Sequence, residues 1–369
     1  MKTMIRALCL GSALLAAALP FGGAFAAGDP IPVGVIANLT GNDVKTSEQM
    51  VRGVELAADA INAAGGIGGR PVKLIVEDAE YKTQEALNAA TKLYDIDKVD
   101  AAIMFGGSSL MLAVAPIAKD KGKVIINTSS SSPQLGNFPG TIFSILPLDD
   151  IVGKELGSWV ASKGVKTVAF VVPNNTFGTG LMDASAKAFE AAGGKVVAKV
   201  TYTEGQPDYR ADLQQLVALK PDAIITAGYG DDSRTVFKNA RLLGLNMPWY
   251  AAYPSILTVE DPKWMDGRLA GVDNGGLSGA KAKEVEAAYA KKYGDGEMMA
   301  HVYYGYDAMT VLAKALADGG NLAAALPKAI SGYDGATGKI VWDDRGQRID
   351  PPIDIIVYEG GKFVTKGSK

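Results

Sequence analysis

Two short runs of glycine and serine are the residues best suited to hold a small anion. The run from Gly106 to Ser109 follows an apolar, strand-like stretch and opens a helix-like one, and Thr128 to Ser132 follows the next strand-like stretch. Backbone N–H groups at a helix N-terminus favour negative charge, and serine hydroxyls add donors with little bulk. Each run also fits a plain helix cap or a solvated turn, so the pattern alone leaves both possibilities open.

The side chains that usually perform catalysis are scarce in this chain. His301 is the only histidine, which excludes a zinc site built on several histidines, and no serine lies in a G-x-S-x-G turn. The glycines between Gly65 and Gly69 follow a helix and precede a strand, the reverse of a dinucleotide-binding loop. The pair Asp231-Asp232 could act in acid–base chemistry but is typical of a solvated turn. We therefore expect a protein that is not an enzyme and that needs no metal or cofactor.

Alternating strand-like and helix-like segments must position these residues. The first block starts with a strand at 31–37 and a helix at 47–64, and a second block of the same kind begins near Leu148. Two long helices are predicted at 280–293 and 304–317. This alternation predicts an α/β architecture with largely parallel sheets. Because no flexible linker separates the blocks, we expect the chain to pass between two lobes several times.

The N-terminal residues predict export. A short basic start precedes an apolar run from Ala7 to Leu19, and Ala24-Phe25-Ala26 fits the small-x-small cleavage rule. We predict a signal peptide at 1–26 and a periplasmic protein; a membrane anchor, or a lipoprotein modified at Cys9, are the alternatives. No later stretch reaches the roughly 20 apolar residues of a spanning helix. The formal net charge of −3 offers no basic surface for nucleic acid.

Three stretches carry a resemblance to a known family. Gly53 to Val72 (GVELAADAINAAGGIGGRPV) resembles the N-terminal helix–turn–strand of branched-chain amino-acid ABC transporter substrate-binding proteins, which are type I periplasmic binding proteins like the leucine/isoleucine/valine-binding protein. Lys220 to Ile225 and Gly305 to Ala313 are similar to two further recurrent stretches of that family, in the same order. The resemblance implies two Rossmann-like lobes with parallel sheets, joined by a three-crossover hinge.

The resemblance also implies lobe boundaries and a ligand cleft. Lobe one would comprise residues 30–146 and 277–347, and lobe two residues 147–276 and 348–369. The ligand would lie between them at the carboxyl ends of the strands, which agrees with the general rule for open α/β sheets. Closure around it would be a hinge motion.

Site residues follow from the same resemblance. In the family, the loops after the third and fourth strands hold the ligand's carboxylate and amine, and aromatic residues of the second lobe lie beside it. The matching positions are Gly107, Ser108, Ser130 and Ser131 in lobe one, with Phe177 and Tyr229 in lobe two. The alternatives are core packing for Phe177 and a place on the loop surface for Tyr229.

Departures from the family pattern bear on the ligand. Where members that bind α-amino acids often have an acid after the strand at 248–252, this chain has Tyr253. Asp231 and Asp43 are nearby substitutes for that acid, and His301 lies near a bulky cleft-edge position, with a purely structural role as the alternative. These departures disfavour leucine, isoleucine and valine. They favour a carboxylate with an aromatic or polar body, or a small amide, with an amino acid open if Asp231 or Asp43 supplies the charge.

The predicted function is that of a periplasmic receptor that closes on a small polar ligand and delivers it to an ABC transporter permease in the inner membrane. The alternative is a sensory ligand-binding protein of the same fold that reports to a membrane receptor or regulator. We expect a monomer that binds no nucleic acid.

Overall fold

The structure is a computed structural model that describes residues 28–368, so the predicted signal peptide at 1–26 lies outside the described residues. Strands and helices alternate from the first described element. The elements of the first block are β1 (Ile31–Ala37), α1 (Val44–Ala63), β2 (Val72–Asp78), α2 (Thr83–Thr91), β3 (Ala101–Met104), α3 (Ser108–Asp120), β4 (Val124–Asn127) and β5 (Ile142–Ser144).

The second block repeats the alternation, and a third segment completes both lobes. The second block contains α4 (Asp149–Ser162), β6 (Thr167–Pro173), α5 (Thr176–Ala191), β7 (Lys195–Tyr202), α6 (Arg210–Leu219), β8 (Ala223–Thr226), α7 (Gly230–Leu242), β9 (Trp249–Ala252), α8 (Pro262–Met265) and β10 (Leu269–Asn274). The third segment contains α9 (Ala280–Tyr293), α10 (His301–Asp318), α11 (Leu322–Ala329), β11 (Asp334–Gly335), β12 (Gly338–Lys339), β13 (Val341–Trp342), β14 (Arg348–Ile349), β15 (Ile353–Glu359) and β16 (Lys362–Ser368).

Two sheets with the same internal order form the centres of the two lobes. The first sheet has parallel strands in the order β2-β1-β3-β4-β5. The second has the order β7-β6-β8-β9-β10, also parallel, and is extended at one edge by the antiparallel strands β15 and β16. Both orders place the first strand of the block inside the sheet, so each sheet has a switch in strand order at its carboxyl edge. The α/β fold predicted from the sequence is confirmed.

Helices cover both faces of each sheet, as parallel sheets require. On one face of the first sheet, Val33 of β1 packs with α1 and with Met309 of α10 in a buried core. On the other face, Ile36 packs with residues of α2 and α3. Because strands such as β3 are buried on both sides, they consist of apolar runs without alternation.

Two of the three stretches that carry the family resemblance meet in space. Gly53 of α1 and Gly305 of α10 lie where these helices cross, and both must be small. A Cβ on Gly53 would lie 2.0 Å from the Val302 carbonyl oxygen, and one on Gly305 would lie 2.2 Å from that of Met50. These glycines therefore let α10, which is distant in sequence, close the core of the first lobe.

The chain crosses between the lobes three times, at 145–148, 275–279 and 350–352. A buried arginine just before the third crossing, Arg348, hydrogen-bonds to the first crossing. Arg348 donates to the carbonyl oxygens of Ile145 at 2.8 Å and Thr337 at 2.7 Å. The lobe boundaries predicted from the sequence lie close to the crossings and stay predictions.

Some element limits differ from those predicted. The helix expected at 304–317 begins at His301, which places this histidine in the first turn of α10. The helix expected at 233–243 begins at Gly230, so Asp231, which was expected in the preceding loop, lies in its first turn. Strand β10 was not predicted, because its sequence LAGVDN has a glycine and two polar residues in six positions. Within residues 28–368, no helix is long and apolar enough to cross a membrane.

Candidate functional site

The cleft between the lobes contains a cavity of about 710 Å³. Its walls come from the segments that follow β1, β2, β3 and β4 in the first lobe and β6, β7, β8 and β9 in the second. The end of β10 and the start of α10 complete them. The carboxyl edges of both parallel sheets therefore face each other across this cavity. This is the location that the sheet topology predicts for a ligand.

The N-terminus of α3 forms part of the first-lobe wall. The helix begins at Ser108, its N-cap Gly107 has no side chain to cap it, and its first turn contains no acid. A Cβ on Gly107 would lie 2.9 Å from the hydroxyl of Tyr81, so glycine allows this tyrosine to lie over the turn. Ser108 is buried, and its Oγ accepts a hydrogen bond from the Ser132 N–H at 3.2 Å. The start of α3 thus presents N–H groups and a hydroxyl to the cavity.

The serine run after β4 mainly supports that turn. Ser129 and Ser130 both donate from Oγ to the carbonyl oxygen of Gly106, at 2.9 and 2.6 Å. Ser129 and Ser131 line the cavity, whereas Ser130 is buried and does not. The expectation that Ser130 faces the cleft is therefore not met, since its hydroxyl is used to hold the glycine turn.

Ser131 takes part in a buried cluster, which we call the inner bridge: Ser131, Asp149 and Tyr253. The Asp149 carboxylate accepts hydrogen bonds from the Ser131 hydroxyl and from the Tyr253 hydroxyl, both at 2.9 Å. Asp149 is 0% exposed, and burial raises the pKa of its carboxyl well above the usual range. Tyr253 has a left-handed backbone, with φ of 52°, which is uncommon for a bulky residue.

A second cluster, which we call the outer bridge, comprises Tyr81, Asn175, Glu204 and Tyr229. The Tyr81 hydroxyl donates to the Tyr229 hydroxyl at 2.9 Å, and the Tyr229 hydroxyl donates to Glu204 Oε1 at 2.5 Å. Asn175 Nδ2 donates to Glu204 Oε2 at 2.7 Å and to the Tyr229 hydroxyl at 3.0 Å. Burial raises the pKa of both tyrosines, so their hydroxyls are neutral.

Phe177 lies between the two bridges. Its ring centroid is 6.0 Å from that of Tyr229 and 6.1 Å from that of Tyr253, and the residue is 9% exposed. The three rings form an apolar wall of the second lobe. Phe177 is therefore both part of the core and part of the cavity surface, so the two alternatives considered for it are not exclusive.

Carboxylates of the second lobe also line the cavity. Asp273, at the end of β10, is 7% exposed, and its oxygens accept from the N–H groups of Ser255 and Asn274 at 3.0 and 2.8 Å. Burial raises the pKa of Asp273. Neither Asp273 nor Glu204 forms an ion pair with any residue that the structure describes. These two acids are thus available to a positive group.

The acid substitutes proposed from the sequence differ in their surroundings. The side chain of Asp231 is 87% exposed and lies 3.4 Å from Arg234, so its charge is directed to solvent. Asp43, at the start of α1, is partly exposed, and burial raises the pKa of its carboxyl to about 6. Asp43 also has a left-handed backbone, with φ of 59°.

His301 lies at the edge of the cavity between two aromatic rings. Its imidazole packs edge-on against Phe105 at 5.4 Å and Tyr304 at 5.6 Å between ring centroids. Burial lowers its pKa to about 4, so the ring is neutral at physiological pH. Within residues 28–368, no three His, Cys, Asp or Glu side chains are grouped as a metal site would require.

All the site residues predicted from the sequence line the cavity except Ser130: Gly107, Ser108, Ser131, Phe177, Tyr229, Asp231, Tyr253 and His301. Their contact with a ligand stays a prediction. Sequence reasoning missed Tyr81, Asn175, Glu204 and Asp273, and also Asp149 behind the wall. Tyr81, Asn175 and Glu204 lie in loops that follow strands. A search for polar residues within two positions of a strand end would have found Asn175 and Glu204.

Comparison with known proteins supplies the decisive observation. The family model described as periplasmic binding protein matches residues 30–362. The chain belongs to this family. An amino acid binding protein from Pseudomonas aeruginosa is 27% identical over 342 residues, with 89% of this chain and 90% of the relative covered. The resemblance stated from the sequence is thereby confirmed.

Two solved structures share the fold. The branched-chain amino acid transporter substrate binding protein of Streptococcus pneumoniae, in complex with isoleucine, has a TM-score of 0.80 at 24% identity, and 92% of this chain and 99% of that chain are covered. A solute binding protein of an ABC transporter from R. palustris, in complex with benzoate, has a TM-score of 0.80 at 20% identity, with 92% and 96% covered. The chain is therefore a solute-binding protein of the periplasmic binding protein family, and its family places it outside the cytoplasm.

Proposed function

We propose that this periplasmic binding protein is the receptor of an ABC importer and that it closes on a free amino acid. The first lobe would hold the carboxylate and the second lobe the ammonium group. The observation that carries this proposal is that the cavity walls contain one feature for each charged group of an amino acid. An uncapped helix N-terminus stands on one side, and carboxylates without basic partners stand on the other.

The first-lobe wall suits a carboxylate. The N–H groups at the start of α3 have no side-chain cap, and no acid in the first turn competes for them. The N-terminus of a helix carries a partial positive charge, and its free N–H groups point at a bound anion. Ser108 and Ser129 line the same wall and supply hydroxyl groups of small volume.

The second-lobe wall suits an ammonium group. The carboxylates of Glu204 and Asp273 accept only from neutral groups in the described residues, so each retains capacity for a charged donor. Hydrogen bonds between charged partners are about twice as strong as neutral ones. Asp273 lies at the end of β10, the strand next to β9, so it would provide the acid that the sequence after β9 lacks.

The two solved relatives contained isoleucine and benzoate, so the fold accepts both kinds of ligand. In this cavity an aromatic carboxylate would place ring carbon against Glu204 and Asp273. A buried charge that loses water without gaining a partner is costly. We therefore favour an amino acid over the aromatic carboxylate that the sequence alone suggested.

Calorimetric titration of the ligand-stripped protein tests this function. The standard amino acids are screened first by thermal shift, and the best one is compared with two truncated analogues. One analogue lacks the amine, and the other lacks the carboxylate. We expect the amino acid to bind and each analogue to bind about a hundredfold more weakly or worse, because the site's polar groups would be left unpaired. Tight binding of benzoate with no response to any amino acid would overturn the assignment of the ammonium group.

A matched pair of variants tests the role of the acid. Asp273→Asn removes the charge of a buried cavity carboxylate, and we expect about tenfold weaker binding of the amino acid or more, the cost of losing a charge-assisted hydrogen bond. Asp231→Asn removes an exposed acid from the same lobe and should leave affinity unchanged. Equal losses of affinity in both variants would show that the net negative charge of the lobe, and not a direct contact with Asp273, favours the ligand.

Uptake measurements separate the importer from the sensor of the same fold. Cells that lack this chain should take up the radiolabelled amino acid more slowly, and the wild-type chain should restore the rate. Unchanged uptake, together with a lost transcriptional or motility response to the same amino acid, would favour the sensory role.

A further inference from the structure

We propose that Glu204 is a positioning residue that directs the hydroxyl of Tyr229 into a bridge to Tyr81 of the opposite lobe, so that this hydroxyl holds the cleft closed and does not bind the ligand. The assignment concerns the closed state and does not depend on which solute the cleft accepts. It changes the role expected for the Tyr229 hydroxyl from ligand contact to lobe contact.

The hydrogen-bonding capacity of the Tyr229 hydroxyl is fully used by the protein. A phenolic hydroxyl donates once and accepts through its lone pairs. Tyr229 donates to Glu204 at 2.5 Å and accepts from Tyr81 at 2.9 Å and from Asn175 at 3.0 Å. No further hydrogen bond remains for a ligand atom, although the ring still contributes to the cavity wall.

The bond between the two tyrosines joins the lobes. Tyr81 lies between β2 and α2 of the first lobe, and Tyr229 precedes α7 of the second. Among the hydrogen-bond partners of Tyr229 in residues 28–368, Tyr81 alone comes from the opposite lobe, because Asn175 and Glu204 both belong to the second lobe. When the lobes separate, Tyr81 must leave while Glu204 and Asn175 keep Tyr229 oriented for its return.

The inner bridge crosses the lobes through a different bond. Asp149 begins α4 of the second lobe, so its hydrogen bond from Ser131, which follows β4 in the first lobe, crosses the lobes, whereas its hydrogen bond from Tyr253 lies within the second lobe. The N–H of Asp149 also donates to the Ser131 carbonyl oxygen at 2.7 Å. Asp149 stands directly after the crossing at 145–148, so the bridge lies beside the hinge.

A carboxylate suits the outer bridge because it accepts hydrogen bonds and donates none when ionised. Glu204 therefore obliges the Tyr229 hydroxyl and the Asn175 amide to point their protons toward it. At the outer bridge this leaves the lone pairs of Tyr229 turned toward Tyr81. An amide at position 204 would keep one acceptor for Tyr229 but would set its own N–H₂ group against that of Asn175.

Two of the bridging tyrosines have an unusual backbone conformation, which indicates that their positions are fixed by surrounding contacts. Tyr81 and Tyr253 have φ values of 54° and 52°, in the left-handed region that bulky residues rarely occupy. Such conformations persist where surrounding contacts fix them and are common at ligand clamps. Both tyrosines use their hydroxyls in the bridges.

Distance measurement between spin labels tests the proposal in protein stripped of solute. One label is placed on each lobe through Asn88→Cys and Lys238→Cys, both at exposed helix positions. Cys9 is the only native cysteine and lies in the predicted signal peptide, so the exported chain would carry only the two added labels. Double electron–electron resonance then gives the ratio of closed to open molecules.

We expect Tyr81→Phe and Tyr229→Phe each to lower the closed-to-open ratio by about fivefold, the effect of one net hydrogen bond. Because the two hydroxyls share one bond across the lobes, the double variant should lower the ratio by little more than either single change. Glu204→Ala should act like Tyr229→Phe, and Glu204→Gln should recover part of the ratio.

Tyr303→Phe is the matched control. Tyr303 donates to Glu286 at 2.7 Å, but both residues belong to helices of the first lobe, so its loss should leave the lobe distance unchanged. Ratios for Tyr81→Phe and Tyr229→Phe that equal those of wild type and Tyr303→Phe would overturn the proposal. It would also fail if wild type and all variants were open throughout. Unfolding midpoints within the range of the control would show that the variants are folded.

Discussion

In the inner bridge the accepting carboxylate, Asp149, is 0% exposed, whereas in the outer bridge Glu204 is partly exposed at the cavity wall. Both acids receive a tyrosine hydroxyl, and both lack an ion-pair partner among the described residues. A carboxylate and a tyrosine hydroxyl therefore pair in both bridges. The inner pair is shielded from solvent beside the hinge, and the outer pair is partly solvated at the open side of the cleft.

This difference in burial determines what each bridge can do. A buried acid destabilises the folded protein when it loses a hydrogen-bond donor, because no water molecule replaces that donor. At the outer bridge, water can occupy the place of Tyr81 when the lobes part. We infer that the inner bridge contributes mainly to the stability of the fold near the hinge, and that the outer bridge contributes mainly to opening and closing.

The largest expected effect is that of Asp149→Ala on stability. It would leave the hydroxyls of Ser131 and Tyr253 buried without an acceptor, and each such group costs about 1–3 kcal/mol. We expect the free energy of unfolding in urea to fall by about 3 kcal/mol on this basis. Glu204→Ala, the matched change at the outer bridge, should cost less than about 1 kcal/mol, because water can reach the freed groups.

Equal losses for the two alanine variants would contradict the contrast between the bridges. A loss for Ser131→Ala as large as that for Asp149→Ala would assign the effect to the serine loop and not to the carboxylate.

The second expected effect is a dependence of stability on pH that belongs to the inner bridge. Burial raises the pKa of Asp149 above its value in the unfolded chain, and the neighbouring charge of Asp150 adds to the shift. A raised pKa contributes stability that is fully present below the unfolded-state pKa and is lost as the pH rises through the folded-state pKa. Asp149→Asn does not titrate, so wild type should lose stability relative to this variant as the pH rises above the unfolded-state pKa of about 3.9.

Urea titrations of both proteins at a series of pH values provide the measurement. Other buried acids with raised pKa values, such as Asp273 and Asp307, are present in both proteins and cancel in the difference. A constant difference across the range would mean that Asp149 ionises as it does in water.

The fold was largely predictable from the sequence because local patterns specify it. The strand at 31–37 and the helix at 280–293 have the limits expected from their apolar spacing, and the loops after β3 and β4 lie at the cavity as expected. A position at the carboxyl edge of a parallel sheet follows from element order alone, and this is why most of the predicted residues line the cavity.

The two bridges were not predictable in the same way. Asp149 resembles an ordinary acid in the first turn of a helix, and its partner Tyr253 is 104 residues away. Glu204 precedes Gly205 and has the local pattern of an exposed turn. Only the packing of the lobes brings these acids to the tyrosines, and Ser130 was misplaced for the related reason that a neighbouring carbonyl group, and not the cleft, receives its hydroxyl.

The third expected effect compares the tyrosines. Tyr253→Phe would leave a buried carboxylate with a single side-chain donor, and we expect a loss of about 1.5 kcal/mol, the upper part of the range for one hydrogen bond. Tyr229→Phe should cost about 0.5 kcal/mol, because Asn175 and water still satisfy Glu204. Urea unfolding of both variants measures the difference. A larger loss for Tyr229→Phe would mean that the outer bridge also supports the fold and would reverse the division of roles.

The smallest expected effect comes from Asp43, which combines features of both acids because it is partly exposed and yet burial raises its pKa to about 6. Its folded-state pKa lies above the unfolded value, so its contribution to stability is present at acid pH and is lost as the pH rises through about 6. Asp43→Asn should therefore be slightly more stable than wild type at pH 7, by less than about 1 kcal/mol, and should match wild type near pH 4. Thermal melts across this range measure the effect, and Asp231→Asn, an exposed acid of the same cavity, provides the control. If the two variants have the same stability at every pH, a partly exposed cleft carboxylate titrates like an exposed one. The contrast between the bridges would then depend on the complete burial of Asp149.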